Sequence, residues 1–193
     1  MTTETAGLLL AAGAGRRMGM PKALVRHGGR LFVESAAAVL AAGGCAPVVV
    51  VLGARSSDVL AQADLTDYRV VDNPEWADGM GASVRVGLTA LRDSGATAVV
   101  VLPVDVPGVT AEAVARVRAT AGPDVLARAS YGGVPGHPVL IGADHWPGVI
   151  ASAVGDVGAR DYLRTHPVLD VPCGDVATGT DVDRPEDLDR LGS

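Results

Sequence analysis

A short apolar run followed by a glycine-rich, cationic loop is the feature that most limits what this chain can fold into. Residues 8–12 are apolar throughout, which predicts a strand buried on both faces. Glycine N–H groups can bind anionic oxygens, and several cations favour a polyanion such as a triphosphate. The loop residues concerned are Gly13, Gly15, Arg16, Arg17, Gly19 and Lys22. Because ligands of open α/β sheets bind at strand ends, we expect an anion site here rather than a solvated surface loop.

Two common phosphate loops do not fit this stretch. The Walker A motif places its lysine directly after the last glycine and a Ser or Thr next, whereas two residues separate Gly19 from Lys22 and alanine follows. The dinucleotide fingerprint G-x-G-x-x-G also fails, because Gly13, Gly15 and Gly19 are spaced G-x-G-x-x-x-G. Pro21 further disfavours an immediate helix.

Strand and helix patterns alternate along the chain, which predicts an α/β fold with a largely parallel sheet. The predicted strands are 6–11, 47–52, 68–71, 98–102 and 168–171, and the predicted helices are 31–42, 55–63, 80–92, 110–121, 144–153, 159–164 and 185–191. Segments 125–129 and 138–141 flank a Gly/Pro-rich bend and predict a less regular strand pair that covers one end of the sheet. Without a repeat or linker, residues 1–193 are expected to form a single domain.

Composition narrows the classes of partner. The net charge is −6 with no basic block outside the first loop, which argues against a nucleic acid polymer as ligand. No apolar run approaches the length of a membrane span. The first residues lack the basic region of a signal peptide, and the two cysteines are isolated. We therefore expect a cytoplasmic protein that binds a small ligand and no membrane.

Acidic residues near two predicted element ends are candidates for metal binding. Asp105 follows the fully apolar strand 98–102, where a carboxylate suits Mg²⁺, although an aspartate before proline also serves ordinary turns. Asp183 precedes the helix predicted from Pro185, so helix capping is its simplest role. Asp181 lies two residues earlier.

Residues 73–81 form a loop that leads into the helix 80–92. Gly79 would allow a ligand to approach the backbone closely, and Ser83 could donate to a base carbonyl. A plain position in the first helical turn is the alternative for Ser83, and a core or lid aromatic is the alternative for Trp76. Farther along, His137 lies in a tight bend and Arg160 could hold a phosphate, or they could be a packed histidine and a solvated arginine.

Residues 10–24 resemble the pattern LAAGxGxRMGxPKxL, which is typical of nucleotidyltransferases with a glycosyltransferase-A-like fold. Residues 73–88, 134–138 and 155–160 are more narrowly similar to the molybdenum cofactor cytidylyltransferases, and 181–188 resemble their D-[IV]-D-x-P-E-D-L element. Pro135 departs from the pattern, in which a polar residue is expected near the glycines.

The resemblance implies a three-layer αβα sandwich with a Rossmann-like, mostly parallel sheet and one antiparallel strand. It also implies transfer of CMP from CTP to a phosphorylated acceptor, molybdopterin carrying molybdenum, with release of pyrophosphate and with Mg²⁺ as cofactor. A molybdenum hydroxylase or its chaperone would be the protein partner. The implied site residues are Leu10, Ala11, Ala12, Gly13, Gly15, Arg16, Lys22, Asn73, Gly79 and Ser83 for the nucleotide, Arg17, Lys22 and Asp105 for catalysis, Asp105 and Asp183 for the metal, and Gly136, His137 and Arg160 for the acceptor.

Two alternatives remain open at this point: a sugar- or alditol-phosphate nucleotidyltransferase, and a non-catalytic nucleotide-binding protein that delivers cofactor. The predicted base preference depends on Ala12. Residues 10–13 read LAAG here, whereas the corresponding segment of related guanylyltransferases resembles LAGG, with glycine in place of Ala12. A methyl group at Ala12 leaves less room for a purine, so CTP is expected to be preferred over GTP.

Overall fold

The computed structural model describes residues 4–191. Within them, one sheet has the strand order β5-β4-β1-β6-β8-β7-β9, and β2 and β3 form a separate short hairpin. The strands are β1 Thr5–Ala11, β2 Arg26–His27, β3 Arg30–Leu31, β4 Val48–Leu52, β5 Arg69–Asp72, β6 Ala98–Pro103, β7 Leu126–Tyr131, β8 Val134–Gly142 and β9 Leu169–Pro172. The α-helices are α1 Phe32–Ala42, α2 Ser56–Gln62, α3 Met80–Ala90, α4 Ala111–Arg118, α5 Trp146–Ser152 and α6 Arg160–Arg164.

The centre of the sheet is covered on both faces. Every residue of β1, β4 and β6 is buried, as their unbroken apolar sequences predict. Alternate side chains of β1 enter two separate cores: Leu9 packs with α1 and α4, and Leu8 packs with α3 and α5. The predicted three-layer αβα sandwich is therefore confirmed.

Strand β8 is the reversed strand of the sheet. It runs antiparallel to both β6 and β7, whereas the other pairings are parallel. The prediction of one antiparallel strand is confirmed, but the prediction that this strand pair covers an end of the sheet is wrong. Its second half, from Pro138 onward, is buried and pairs directly with β6, so β8 and β7 extend the sheet. The register of β7 shifts between Arg128 and Ser130, which accounts for the irregular pattern.

Local differences from the predicted elements occur at the turns. A single 3₁₀ turn, Lys22–Leu24, follows Pro21 at once, and the closing helix is a 3₁₀ helix, Pro185–Arg190. Thr110 caps α4 as predicted, because its Oγ1 accepts from the N–H of Ala113 at 3.2 Å. Among residues 4–191 no helix has the length and apolarity needed to cross a bilayer.

Candidate active site

The carboxyl ends of β1 and β6 lie side by side and carry the glycine loop and Asp105. The N–H of Val104 donates to the carbonyl of Leu10 at 3.0 Å, which ties the end of β6 to the start of the glycine loop. The N–H of Val182 donates to the carbonyl of Asp105 at 2.8 Å. This backbone bond brings the 181–183 segment, distant in sequence, alongside Asp105.

Four charged side chains meet at this junction, and we call them the charged cluster: Arg17, Lys22, Asp105 and Asp183. Lys22 Nζ donates to Asp105 Oδ2 at 2.9 Å and to Asp183 Oδ1 at 2.5 Å. Arg17 Nη1 donates to Asp183 Oδ2 at 2.8 Å. The Lys22 side chain is only 16% exposed, whereas that of Arg17 is 68% exposed. Lys22 is thus the central cation of the cluster, and Arg17 lies at its rim.

Proton affinities within the cluster follow from these contacts. Burial lowers the pKa of Lys22, but the hydrogen bonds to Asp183 and Asp105 outweigh it, so the pKa is raised overall. The hydrogen bond from Lys22 holds the pKa of Asp183 below its usual value. Asp181 behaves differently, because burial and the neighbouring carboxylates of Asp105 and Asp183 raise its pKa. Asp183 is therefore the member of this segment that readily stays ionised beside a cation.

A cavity of about 340 Å³, the first cavity, lies against the glycine loop. It is lined by Leu10, Ala12, Gly13, Ala14, Gly15, Arg16, Trp76, Ala77, Gly79, Met80, Ser83 and Asp156. Gly15 shapes the loop, since its φ of +62° and the 1.8 Å between a hypothetical Cβ and the carbonyl oxygen of Met20 exclude other residues. The loop therefore holds a turn that only glycine permits, with Arg16 facing the cavity.

Two residues predicted to contact the nucleotide lie behind this cavity instead. Ala11 points to the opposite face of β1 and packs in the core with α1 and α4, because side chains alternate along a strand. Asn73 is fully buried, and its Nδ2 donates to Ser83 Oγ at 3.0 Å while its Oδ1 accepts from the N–H of Glu75 at 3.0 Å. The prediction that Asn73 contacts the nucleotide directly is therefore corrected: its side-chain amide orients Ser83 instead.

A second cavity of about 350 Å³ adjoins the first, because Leu10 and Met80 line both. It contains the three residues predicted for the acceptor, Gly136, His137 and Arg160. Sequence reasoning missed Arg128 and Arg164, which line it as well, and it did not foresee that Asp181 would face this space. Its remaining walls are largely aliphatic: Val84, Val101, Val139, Ile141, Val157 and Leu163.

The cis bend before Pro138 is held by an aromatic side chain. Tyr131 Oη donates to the carbonyl of His137 at 2.6 Å, and a Cβ on Gly136 would lie 2.9 Å from the Tyr131 ring. Burial lowers the pKa of His137 against the opposing effect of Asp105, so the imidazole is predominantly neutral at pH 7. The second cavity therefore combines a neutral histidine with arginines, of which Arg128 and Arg164 form ion pairs with Asp170 and Asp161.

Comparison with models of known protein families identifies the family of this chain. The family model described as "MobA-like NTP transferase domain" matches residues 7–171. This chain belongs to the MobA-like NTP transferase family. The match covers the first cavity, with its glycine loop and Ser83, and Asp105, whereas Asp183 and two residues of the second cavity, Gly179 and Asp181, follow the matched range.

One relative by sequence and two solved structures show what this MobA-like chain is similar to. It is 41% identical over 195 residues to nicotine blue oxidoreductase of Paenarthrobacter nicotinovorans, which covers 96% of this chain and 95% of the relative. A manganese complex of Rv0371c from Mycobacterium tuberculosis matches with a TM-score of 0.81 and 26% identity over 98% of each chain. Molybdopterin-guanine dinucleotide biosynthesis protein A from Archaeoglobus fulgidus shares the fold, with a TM-score of 0.68, 19% identity, and coverage of 96% of this chain and 95% of that chain.

The donor set of the charged cluster suits a divalent ion of the kind used by nucleotidyltransferases. Asp105 and Asp183 converge on one point, because both reach the same Lys22 Nζ. Within residues 4–191 no group of three His, Cys, Asp or Glu side chains forms a metal site of its own. Two carboxylates completed by phosphate oxygens and water are what Mg²⁺ commonly takes in such enzymes. The residues of this MobA-like domain therefore fit a metal that binds together with a nucleotide.

Proposed function

We propose that this protein transfers CMP from CTP to a phosphorylated acceptor, molybdopterin carrying molybdenum, and releases pyrophosphate. The observation that carries the proposal is the charged cluster at the strand ends, since Arg16, next to its Arg17, lines the first cavity and Asp181, near its Asp183, lines the second. The first cavity, lined by the glycine loop, would hold the nucleotide, and the second cavity, lined by Arg128, Arg160 and Arg164, would hold the acceptor. Family membership supports the reaction class, since these are NTP transferase domains.

The chemistry requires positioning more than proton transfer. An oxygen of the acceptor phosphate attacks the α-phosphorus, and the bond from that phosphorus to the α,β-bridging oxygen breaks. Pyrophosphate leaves with the bonding electrons. Because the acceptor oxygen is already anionic, no general base is needed, and the protein's work is alignment and charge neutralisation.

Each charged residue has a distinct part in this proposal. Lys22 and Arg17 would bind the triphosphate oxygens and stabilise the negative charge that develops on pyrophosphate. Asp105 and Asp183 would hold Mg²⁺, which supplies neutralisation of the phosphate charges when bound. Arg160 would bind the acceptor phosphate near the reacting phosphorus. The small exposed fraction of the Lys22 side chain, 16%, strengthens such contacts because little water screens them.

The preference for CTP rests on the shape of the first cavity. Ala12 lines this cavity directly after β1. Its methyl group packs against Gly53, since a Cβ built on Gly53 would lie 2.9 Å from the Ala12 Cβ. A purine would have to extend past this methyl group, whereas a pyrimidine would not. One methyl group in a pocket discriminates by about 1–3 kcal/mol.

A binding and turnover experiment tests the proposal. Thermal shift with CTP, GTP, ATP and UTP, each with Mg²⁺, should give the largest stabilisation with CTP. A ligand at 100 times its Kd stabilises the native state by about 2.7 kcal/mol. Pyrophosphate release should then require molybdenum-loaded molybdopterin. Release with sugar or alditol phosphates instead would identify the acceptor class as the alternative one, and binding without turnover would favour a cofactor-delivery protein.

A second candidate is an oxidoreductase activity. The observation that favours it is the 41% identity over nearly the whole chain to nicotine blue oxidoreductase. Such an activity would need a hydride donor, and the glycine loop lacks the dinucleotide fingerprint that usually binds one. Spectrophotometric oxidation of NADH or NADPH with nicotine blue as acceptor tests this candidate, and its failure beside CTP-dependent pyrophosphate release would exclude it.

A further inference from the structure

Asp156 lines the first cavity, although it belongs to the segment 155–160, whose Arg160 is predicted to bind the acceptor. It lies in the 3₁₀ turn Gly155–Val157, between α5 and α6, and faces the start of α3. Arg160, four residues later, lines the second cavity instead. The segment 155–160 therefore contributes to both cavities, and the carboxylate belongs to the first.

The position of this carboxylate is set by Gly79. A Cβ built on Gly79 would lie 2.6 Å from Asp156 Oδ1, so the carboxylate rests directly against the glycine backbone at the N-terminus of α3. Gly79 also has a φ of +99°, which other residues rarely adopt. Asp156 is exposed at the mouth of the cavity, and among the side-chain hydrogen bonds and ion pairs of residues 4–191 none involves it. Its oxygens therefore face the solvent-filled cavity, where a ligand can replace water as the hydrogen-bond donor.

Ser83 supplies the complementary group in the same cavity. Asn73 Nδ2 donates to Ser83 Oγ at 3.0 Å, and both residues are buried. The Asn73 amide occupies one lone pair of the Ser83 oxygen. The single hydroxyl proton of Ser83 therefore remains available to a ligand. The cavity thus offers a hydrogen-bond donor at Ser83 and an acceptor at Asp156.

The phosphates of a nucleotide cannot be the group that Asp156 meets. They belong beside Arg16 and the glycine loop, and a carboxylate facing them would be repelled. We propose that Asp156 accepts a hydrogen bond from the exocyclic amino group of the base and selects cytosine over uracil. Cytosine presents an amino donor where uracil presents a carbonyl oxygen, whose lone pairs would face the carboxylate. This inference rests on the proposed binding of a nucleoside triphosphate in the first cavity.

The test is the ratio of the Kd values for UTP and CTP, measured by calorimetry with Mg²⁺ for the wild type and for Asp156→Asn. An asparagine amide can accept from cytosine or donate to uracil, so the ratio should fall by about tenfold. The ratio also cancels any general gain in anion affinity from losing one negative charge. Asp144→Asn is the matched control, because Asp144 lines neither cavity and the same charge is removed. Thermal unfolding confirms that each variant is folded.

Three outcomes overturn the inference, and they are distinguishable. An unchanged ratio with CTP still bound removes Asp156 from base selection while the proposed function stands. A change confined to discrimination against 2′-deoxy-CTP assigns the carboxylate to the ribose. No binding of any nucleoside triphosphate by the wild type refutes the proposed function and this inference with it.

Discussion

The charged cluster and the first cavity lie next to one another, but their polar groups are paired with one another in the cluster and available to a ligand in the cavity. In the cluster, Lys22 and Arg17 satisfy the carboxylates of Asp105 and Asp183 without any ligand. In the cavity, Asp156 and the proton of Ser83 face open space. Ligand binding in the cavity adds contacts, whereas binding at the cluster must exchange them. The exchange costs little at the exposed pair of Arg17 with Asp183 and more at the largely buried Lys22.

Removing one carboxylate of the charged cluster should have the largest effect on turnover and so tests most severely the contrast between cluster and cavity. Asp105→Asn should lower turnover by about 10³-fold, because a neutral amide holds neither a divalent ion nor Lys22 as strongly. Mg²⁺-dependent pyrophosphate release measures the rate, and circular dichroism shows that the variant is folded. Near-normal release by the folded variant would remove Asp105 from the mechanism.

A change at Lys22 tests whether the cluster exchanges partners. Lys22→Met should weaken CTP binding about tenfold, because its charge is lost from the phosphates. The same variant should bind Mn²⁺ more tightly in the absence of nucleotide, since the cation that occupies both carboxylates is gone. Electron paramagnetic resonance of free Mn²⁺ measures this second effect without any turnover.

The matched control for the Mn²⁺ measurement is Arg16→Met. Arg16 belongs to the same loop and faces the first cavity, so this variant loses the same charge without releasing Asp105 or Asp183. Equal Mn²⁺ affinity in the Lys22 and Arg16 variants would mean that net charge alone governs metal binding. Weaker Mn²⁺ binding by Lys22→Met would show that the lysine holds the carboxylates together for the metal.

Ala12→Gly sharpens the comparison on the cavity side. Removing the methyl group should shift the ratio of the GTP and CTP dissociation constants toward GTP by about fivefold to tenfold. Competition binding against a fluorescent nucleotide gives both constants. Ala14→Gly is the control, because Ala14 lines the same cavity within the loop and loses an equal methyl group. Equal affinities of the wild type for GTP and CTP would contradict the steric argument.

The smallest expected effect concerns His137 in the second cavity. Burial lowers the pKa of His137 below the ordinary value of 6.5, so on acidification the unfolded chain takes up the proton first. Stability should therefore fall as the pH drops through about 6.5, until the folded-state pKa is passed. His137→Asn should reduce this slope, which urea unfolding at several pH values measures. At pH 8 His137 is neutral in both states and serves as the reference; an identical slope in the variant would contradict the burial effect.

Local sequence patterns predicted much of this molecule because their causes are local. The all-apolar strands β1, β4 and β6 could be recognised since burial on both faces leaves no polar position. The Gly15 turn and the Thr110 cap are likewise backbone requirements expressed by one residue. Boundaries were less accurate where a 3₁₀ turn replaced an α-helix, as at Pro185–Arg190, because one proline suits both.

The sequence by itself determined the sandwich, the reversed strand through its family resemblance, and the residue types able to bind phosphate and metal. Only the tertiary structure decided which of them meet. The pairing of Lys22 with both Asp105 and Asp183 depends on a backbone bond between the β6 end and the 181–183 segment. The burial of Asn73 accompanies its hydrogen bond to Ser83 of α3. The division of residues 155–160 between two cavities depends on how α3 packs against the turn at Gly155–Val157. Sequence periodicity encodes the face of each element, whereas contacts between distant elements are set by the packing of the whole domain.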